Sequence, residues 1–257
     1  MQTSSEWGPS CRLKLEVAGR SVVGRRKNNE DAFLLDRRRG VFVVADGMGG
    51  YEGGEVASRL VIETVSRFFE DNDEDADVTW PWGLEEGRSF VENLLAVALR
   101  MANRTVFRQR AGKLAQMGST AVAVALDDTR AVIAHVGDSR AYRLRQGRLE
   151  ALTRDHSLVE QMRDMGFEEV PDHMGHVITK AIGFDVDTQP ELRVMEVRPG
   201  DTLLLCTDGL TDPLADAEIA RFLSGTSVEL ACSELLDAAY AAGGSDNITA
   251  LVLRFAP

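Results

Sequence analysis

Six separated acidic stretches constrain this chain more than any other feature. They are Asn29-Glu30-Asp31, Val44-Ala45-Asp46-Gly47, Gly137-Asp138-Ser139, Asp155-His156-Ser157, Cys206-Thr207-Asp208-Gly209 and Ser245-Asp246-Asn247. Four of them adjoin apolar runs, at residues 41–45, 131–136, 203–206 and 248–253. A sheet that drops one Asp after another at its edge gathers oxygen ligands in one place. Hard divalent cations such as Mg²⁺ and Mn²⁺ need that chemistry.

The 257 residues suffice for one large domain or two small ones. Acidic residues outnumber basic ones 41 to 29, a net charge of −12, which argues against nucleic acid or an anionic membrane as the main partner. Cys11, Cys206 and Cys232 are odd in number and widely spaced, so neither a disulfide framework nor a structural zinc site is expected. Residues 1–10 lack the apolar core of a signal peptide, and no apolar run approaches the ~20 residues of a membrane helix. A cytoplasmic location follows as the expectation.

Periodicity supplies the elements. Residues 1–11 read as a mobile N-terminus. Strands are expected at 13–17, 32–35, 41–45, 120–126, 130–136, 141–145, 191–197, 202–206 and 248–255. Helices are expected at 54–70, 85–112, 157–165, 217–223 and 228–242, and residues 166–183 read as an irregular flap. Strands in groups and helices in two pairs do not make a βαβα alternation. The pattern favours an α+β fold, two antiparallel sheets face to face with a helix pair outside each. No internal repeat or long linker divides residues 12–257, so one domain is expected.

The glycine-rich segment Asp46-Gly47-Met48-Gly49-Gly50-Tyr51-Glu52-Gly53-Gly54 lies between a strand and a helix. No Gly-Lys-Ser/Thr follows it, and Glu52 stands where a dinucleotide fingerprint needs glycine. Its default reading is a tight turn, but Gly47 could also offer a backbone carbonyl beside the Asp46 carboxylate. Arg26 lies five positions before Asp31, and arginine is the side chain that grips phosphate bidentately. Taken singly, each Asp reads as a turn or cap residue. Together, each at a strand end, they read as a site.

Eight segments, in order, resemble the successive motifs of the metal-dependent Ser/Thr protein phosphatases (PPM, type 2C). They are Arg26-Lys27-Asn28-Asn29-Glu30-Asp31, Val44 to Gly50, Met117-Gly118-Ser119-Thr120, His135 to Arg140, Leu152 to Ser157, Ile178 to Gly183, Leu205 to Leu210 and Gly244 to Thr249. The short forms of the first two are similar to bacterial members. The resemblance implies a four-layer αββα sandwich, two antiparallel β-sheets flanked by pairs of antiparallel helices, with a flap around 156–183. It implies two Mn²⁺ or Mg²⁺ ions: one on Asp46, Asp208 and Asp246, the second on the bridging Asp46, the Gly47 carbonyl, Glu30 and Asp31. Asp138, with Asp208, matches the acids that hold a third, weaker ion, and Arg26 would clamp the phosphoryl oxygens. Hydrolysis of phosphoserine and phosphothreonine by a hydroxide generated between the ions, without a phosphoenzyme, is the implied reaction. Phosphorylated proteins, a Hanks-type Ser/Thr kinase among them, would be the partners of a monomer. The rival reading is a catalytically silent phosphatase fold used for binding or sensing.

Two departures stand out. Met48 occupies the position where eukaryotic relatives carry a candidate acid His, and Tyr51 replaces a His common in bacterial members. His156 and His176 are then the flap candidates for a general acid, and the spacing of His173 and His176 could suggest zinc, though no third soft ligand lies nearby in sequence.

Overall fold

A computed structural model describes residues 14–50, 53–72, 80–167, 177–225 and 227–256. Among the described residues, eleven strands form two antiparallel sheets. The first orders β1 (Lys14–Val22), β11 (Ile248–Ala256), β10 (Thr202–Cys206), β7 (Arg140–Arg145) and β8 (Arg148–Ala151) as β1-β11-β10-β7-β8. The second runs β2 (Asp31–Asp36), β3 (Val41–Met48), β5 (Ala121–Asp127), β6 (Arg130–Val136) and β9 (Glu191–Glu196), with the short β4 (Gly118–Ser119) beside β3.

Side-chain alternation explains the layers. Successive residues of a strand point to opposite faces. Phe42, Val44, Val122, Val124, Leu203, Leu205, Leu251 and Leu253 fill the space between the sheets. Their neighbours Val41, Val43, Ala45, Ala121, Ala123 and Ala125 face α1 (Gly53–Asp71) and α2 (Phe90–Gln109). Leu204, Cys206, Ala250 and Val252 face α5 (Asp216–Leu223) and α6 (Val228–Ala241) on the other side. The central strands are therefore apolar on both faces, and the expected αββα sandwich is the architecture observed. Two short helices, α3 (Leu158–Asp164) and α4 (Asp208–Thr211), complete the set.

Several expected boundaries shift, each for a local reason. α2 starts at residue 90 rather than 85 because Ser89 caps it: its hydroxyl accepts from the Glu92 N–H and its own N–H donates to the Glu92 carboxylate. It ends before Gly112, which has φ +56° and opens a one-turn 3₁₀ segment. β8 was not anticipated; it closes a hairpin over Gln146-Gly147, both left-handed at φ +50° and +77°. Cys206 and Cys232 are free and buried. Among the described residues, no helix is long and apolar enough to cross a membrane.

The expected flap is described only at its two ends, so His173 and His176 lie outside the described residues, as do Tyr51 and Cys11. The topology delivers the acids to one end of the sandwich. β2 begins at Asp31 and β3 passes through Asp46, with the two residues directly paired. In the other sheet, β10 ends just before Asp208 and β11 starts just after Asp246.

Candidate metal centre

Like charges directly opposite across two strands are unfavourable, yet Asp31 and Asp46 are paired that way. Hydroxyl donors hold Asp31 in place. Its Oδ2 accepts from Thr249 Oγ1 at 2.6 Å, in β11 of the facing sheet, and from Thr207 Oγ1 at 3.0 Å, just past the end of β10. Asp46 is fixed through its backbone: its N–H donates to Thr120 Oγ1 at 3.1 Å, and its carbonyl accepts from the Thr120 N–H at 2.8 Å and Ser119 Oγ at 2.9 Å.

Asn247 ties the two sheets together. Its Oδ1 accepts from the Glu30 N–H at 2.7 Å, and its Nδ2 donates to the carbonyls of Val23 and Asn28. Asp246 beside it is ion-paired to Arg26 at 2.6 Å. The Gly47 N–H donates to the Glu30 carbonyl at 3.1 Å, and the Glu30 carboxylate accepts from the Gly54 N–H at the start of α1. Crowding here excludes any side chain at residue 47: a Cβ would lie 1.9 Å from the Gly54 carbonyl oxygen. The tight turn and the candidate carbonyl ligand are thus one feature.

A cleft of about 410 Å³ opens on this cluster; its lining includes Arg26, Glu30, Asp46, Gly47, Asp208 and Asp246 together with the apolar Met48, Ile178 and Phe184. A larger groove of about 780 Å³ runs over α1 and α2 but includes none of the converging acids.

Electrostatics marks the cluster as short of positive charge. Burial, then repulsion from Asp31, Asp208, Asp138 and Asp246, pushes the Asp46 carboxyl well above its ordinary range. Burial pushes Asp31 up to about 7, against the pull of the Thr249 and Thr207 hydroxyls. Asp208 rises to about 6 through burial and then the charges of Asp212 and Asp246. Asp138 rises to about 7 through burial and then Asp208 and Asp155. Burial also raises Glu30. Asp31 Oδ1 and Asp208 Oδ1 are buried without a hydrogen-bond partner. Carboxylates crowded this way either take up protons or bind cations. The orphaned oxygens and the all-oxygen donor set fit hard divalent ions.

A second cluster, His135, His156 and Glu191, brings three ligand atoms within 4.8 Å of one another. Its hydrogen bonds commit it otherwise. His156 Nδ1 accepts from the Gly137 N–H at 2.9 Å, so Nε2 carries the proton and donates to Glu191 at 3.0 Å. The two imidazoles are stacked 4.6 Å apart and nearly parallel, so one ion cannot lie in both ring planes. His156 does not line the cleft; it braces Gly137, next to Asp138, and its backbone N–H also donates to the Gly137 carbonyl.

Seven of the eight sequence-derived candidates, Arg26, Glu30, Asp31, Asp46, Gly47, Asp208 and Asp246, are brought to one end of the sandwich, and the eighth, Asp138, adjoins Asp208 there. Sequence reasoning gave no role to Thr120, Thr207, Thr249 or Asn247, which hold the acids. For Thr207, Asn247 and Thr249 the available signal was a hydroxyl or amide one to three residues from a strand-end Asp; Thr120, 74 positions from Asp46, had none.

A family model described as Protein phosphatase 2C matches residues 18–238. The chain is 35% identical over 246 residues to the serine/threonine protein phosphatase PstP of Mycobacterium tuberculosis, covering 93% of this chain but 45% of that protein. It is 32% identical over 239 residues to the serine/threonine phosphatase Stp of Listeria innocua, covering 89% of this chain and 91% of the relative. The solved catalytic domain of PstP in complex with two manganese ions superposes with a TM-score of 0.80 at 34% identity, covering 95% of this chain and all of that one.

Proposed function

The chain belongs to the protein phosphatase 2C family, and we propose from that premise that it is a metal-dependent phosphatase of phosphoserine and phosphothreonine in proteins. The observation that carries this reading is the convergence of Asp46, Asp208 and Asp246 from both sheets on one cleft. It also favours activity over a silent binding module, since each acid that would hold a cation is present and in reach of the others.

In this reading Asp46, Asp208 and Asp246 would hold one Mn²⁺ or Mg²⁺, and Asp46, the Gly47 carbonyl, Glu30 and Asp31 would hold a second. Asp138 with Asp208 could take a third. Two such ions supply Lewis-acid charge and lower the pKa of water near neutral pH. The chain's own residues do the rest. Thr207 and Thr249 keep Asp31 oriented, and Thr120 and Ser119 fix the backbone of Asp46. Arg26, once released from Asp246, has the planar fork that binds two phosphoryl oxygens and offsets charge there. A seryl or threonyl alkoxide is the leaving group, and no side chain of the cleft is placed as a nucleophile.

We infer further that residues 12–257 act as one catalytic domain and that the chain works as a cytoplasmic monomer on the targets of a Hanks-type kinase. The chain spans about half the length (45%) of the mycobacterial relative and nearly all of the Listeria one. The test of the activity is direct. Purified protein should hydrolyse p-nitrophenyl phosphate and a phosphothreonine peptide with Mn²⁺ and stop in EDTA. Activity that survives EDTA, or survives Asp208→Ala, would contradict it.

A further inference from the structure

The lining of the candidate cleft combines two chemistries. Acids and Arg26 supply one; Met48, Ile178 and Phe184 supply an apolar part. Phe184 keeps 38% of its surface exposed, a large value for an aromatic ring. Its backbone, by contrast, is held firmly. The Gly183 N–H donates to Asn103 Oδ1 at 2.7 Å, and Asn103 Nδ2 donates to the carbonyls of Asp185 and Val186 at 3.0 and 3.3 Å. Arg110 Nη1 donates to the Gly183 carbonyl at 2.6 Å and to that of Phe184 at 3.1 Å. Arg100 grips both oxygens of Asp187 at 3.0 and 3.1 Å. All three anchors come from α2 or its C-terminal cap, and Asn103 is 1% exposed.

The ring lies on Gly118, where a Cβ would approach Phe184 Cε1 to 2.3 Å. Gly118 pairs with Met48, and the next rung pairs Ser119 with Gly47. Phe184 therefore covers the strand position one step, roughly 3.4 Å, from Gly47. Packing alone explains why Gly118 lacks a side chain. It does not explain why a ring held by its backbone, with the Arg110 guanidinium 5.6 Å from its centroid, keeps over a third of its surface exposed while lining a charged cleft. A preorganised apolar surface beside a reacting centre loses little entropy when a ligand covers it.

We propose, resting on the phosphatase reading above, that Phe184 is a specificity-determining residue. With Met48 and Ile178 it forms a platform for a bulky apolar side chain flanking the phosphorylated residue of the substrate. Extended peptide advances roughly 3.3–3.6 Å per residue, so the neighbour of a phosphothreonine docked at the acids reaches this apolar part of the lining. Enclosed apolar pockets discriminate by one methylene about 10–200-fold, and an open platform belongs at the low end.

The test uses two phosphothreonine peptides that differ only in carrying leucine or serine at both positions flanking the phosphothreonine. With Mn²⁺, the wild-type protein should favour the leucine peptide ~5–10-fold in kcat/KM, through KM rather than kcat. Phe184→Ala should collapse that ratio to within about twofold, and Phe184→Leu, which restores an apolar surface, should keep most of it. Equal wild-type turnover of the two peptides, or the same preference in Phe184→Ala, overturns the proposal and leaves the phosphatase reading standing. Failure of the wild-type protein to turn over either peptide overturns both.

Discussion

Arg26 and Asp246, 220 positions apart in sequence, are joined by a hydrogen-bonded ion pair of 2.6 Å at the mouth of the cleft. The guanidinium that would hold phosphate is thus resting on a carboxylate that would hold metal. A cation at Asp246 and a phosphoryl group at Arg26 are mutually supportive, because each releases the partner the other needs.

Arg26→Ala should therefore move two measurements in opposite senses. Phosphatase activity should fall on the order of 10²–10³-fold, as for loss of one preorganised donor to developing charge. Manganese affinity, read by calorimetric titration, should hold or tighten, by no more than about fivefold, since a partly exposed pair contributes about 0–1 kcal/mol. A fall in both would show that Arg26 supports the metal site instead of competing for it.

Chelation should lower the melting temperature. At a cation concentration 100 times Kd, binding to the native state contributes about 2.7 kcal/mol, or ~5–10 °C for a domain of this size. Scanning fluorimetry with excess EDTA against saturating Mn²⁺ reads the difference directly, and coincident curves would argue against a shared site.

The metal-free protein should show the cost of its acids as pH rises. Asp31 and Asp138 at about 7, and Asp208 at about 6, titrate above their unfolded value near 3.8. Between those limits the native state binds more protons than the unfolded chain, so this contribution to stability is full below pH ~4 and is lost as pH climbs towards 7. His135 and His156, lowered by burial, act in the opposite sense below their usual value. A difference measurement separates the two. In EDTA, Asp138→Asn should gain stability relative to wild type at pH 8 and less, or none, at pH 5. A gain that is larger at pH 5 would contradict the assignment.

Gly47→Ala should be among the most damaging small substitutions. Its methyl would meet the Gly54 and Glu30 carbonyl oxygens at 1.9 and 2.7 Å, so either α1 or the β2 entry must shift. Overpacking of this kind costs about 1–3 kcal/mol. Chemical denaturation should show a loss of that order together with loss of turnover. Full activity would show that the turn has slack the geometry does not suggest.

Much of the sandwich is written in short continuous apolar runs. Val41 to Ala45 and Leu203 to Cys206 are apolar throughout, which marks strands covered on both faces, and the observed layers split them residue by residue. Of the candidate acids, Asp46, Asp138, Asp208 and Asp246 stand out in the sequence because each adjoins such a run. Less legible was what depends on long-range pairing. Nothing local tells that Thr249 and Thr207 will reach Asp31 in the opposite sheet, or that Arg26 will rest on Asp246. His156, expected as a candidate acid of the flap, bonds instead to Gly137 and Glu191, while its neighbour Asp155 is held by Arg140. Phe184 carried no motif at all; its place follows from Gly118 and the anchors on α2.

Counting manganese is the most direct measurement. Equilibrium dialysis at saturating Mn²⁺ should find at least two ions per wild-type chain and fewer than two in Asp46→Asn, whose carboxylate would serve both. The same number of ions in the two proteins, or none in either, would contradict a dinuclear centre built on Asp46.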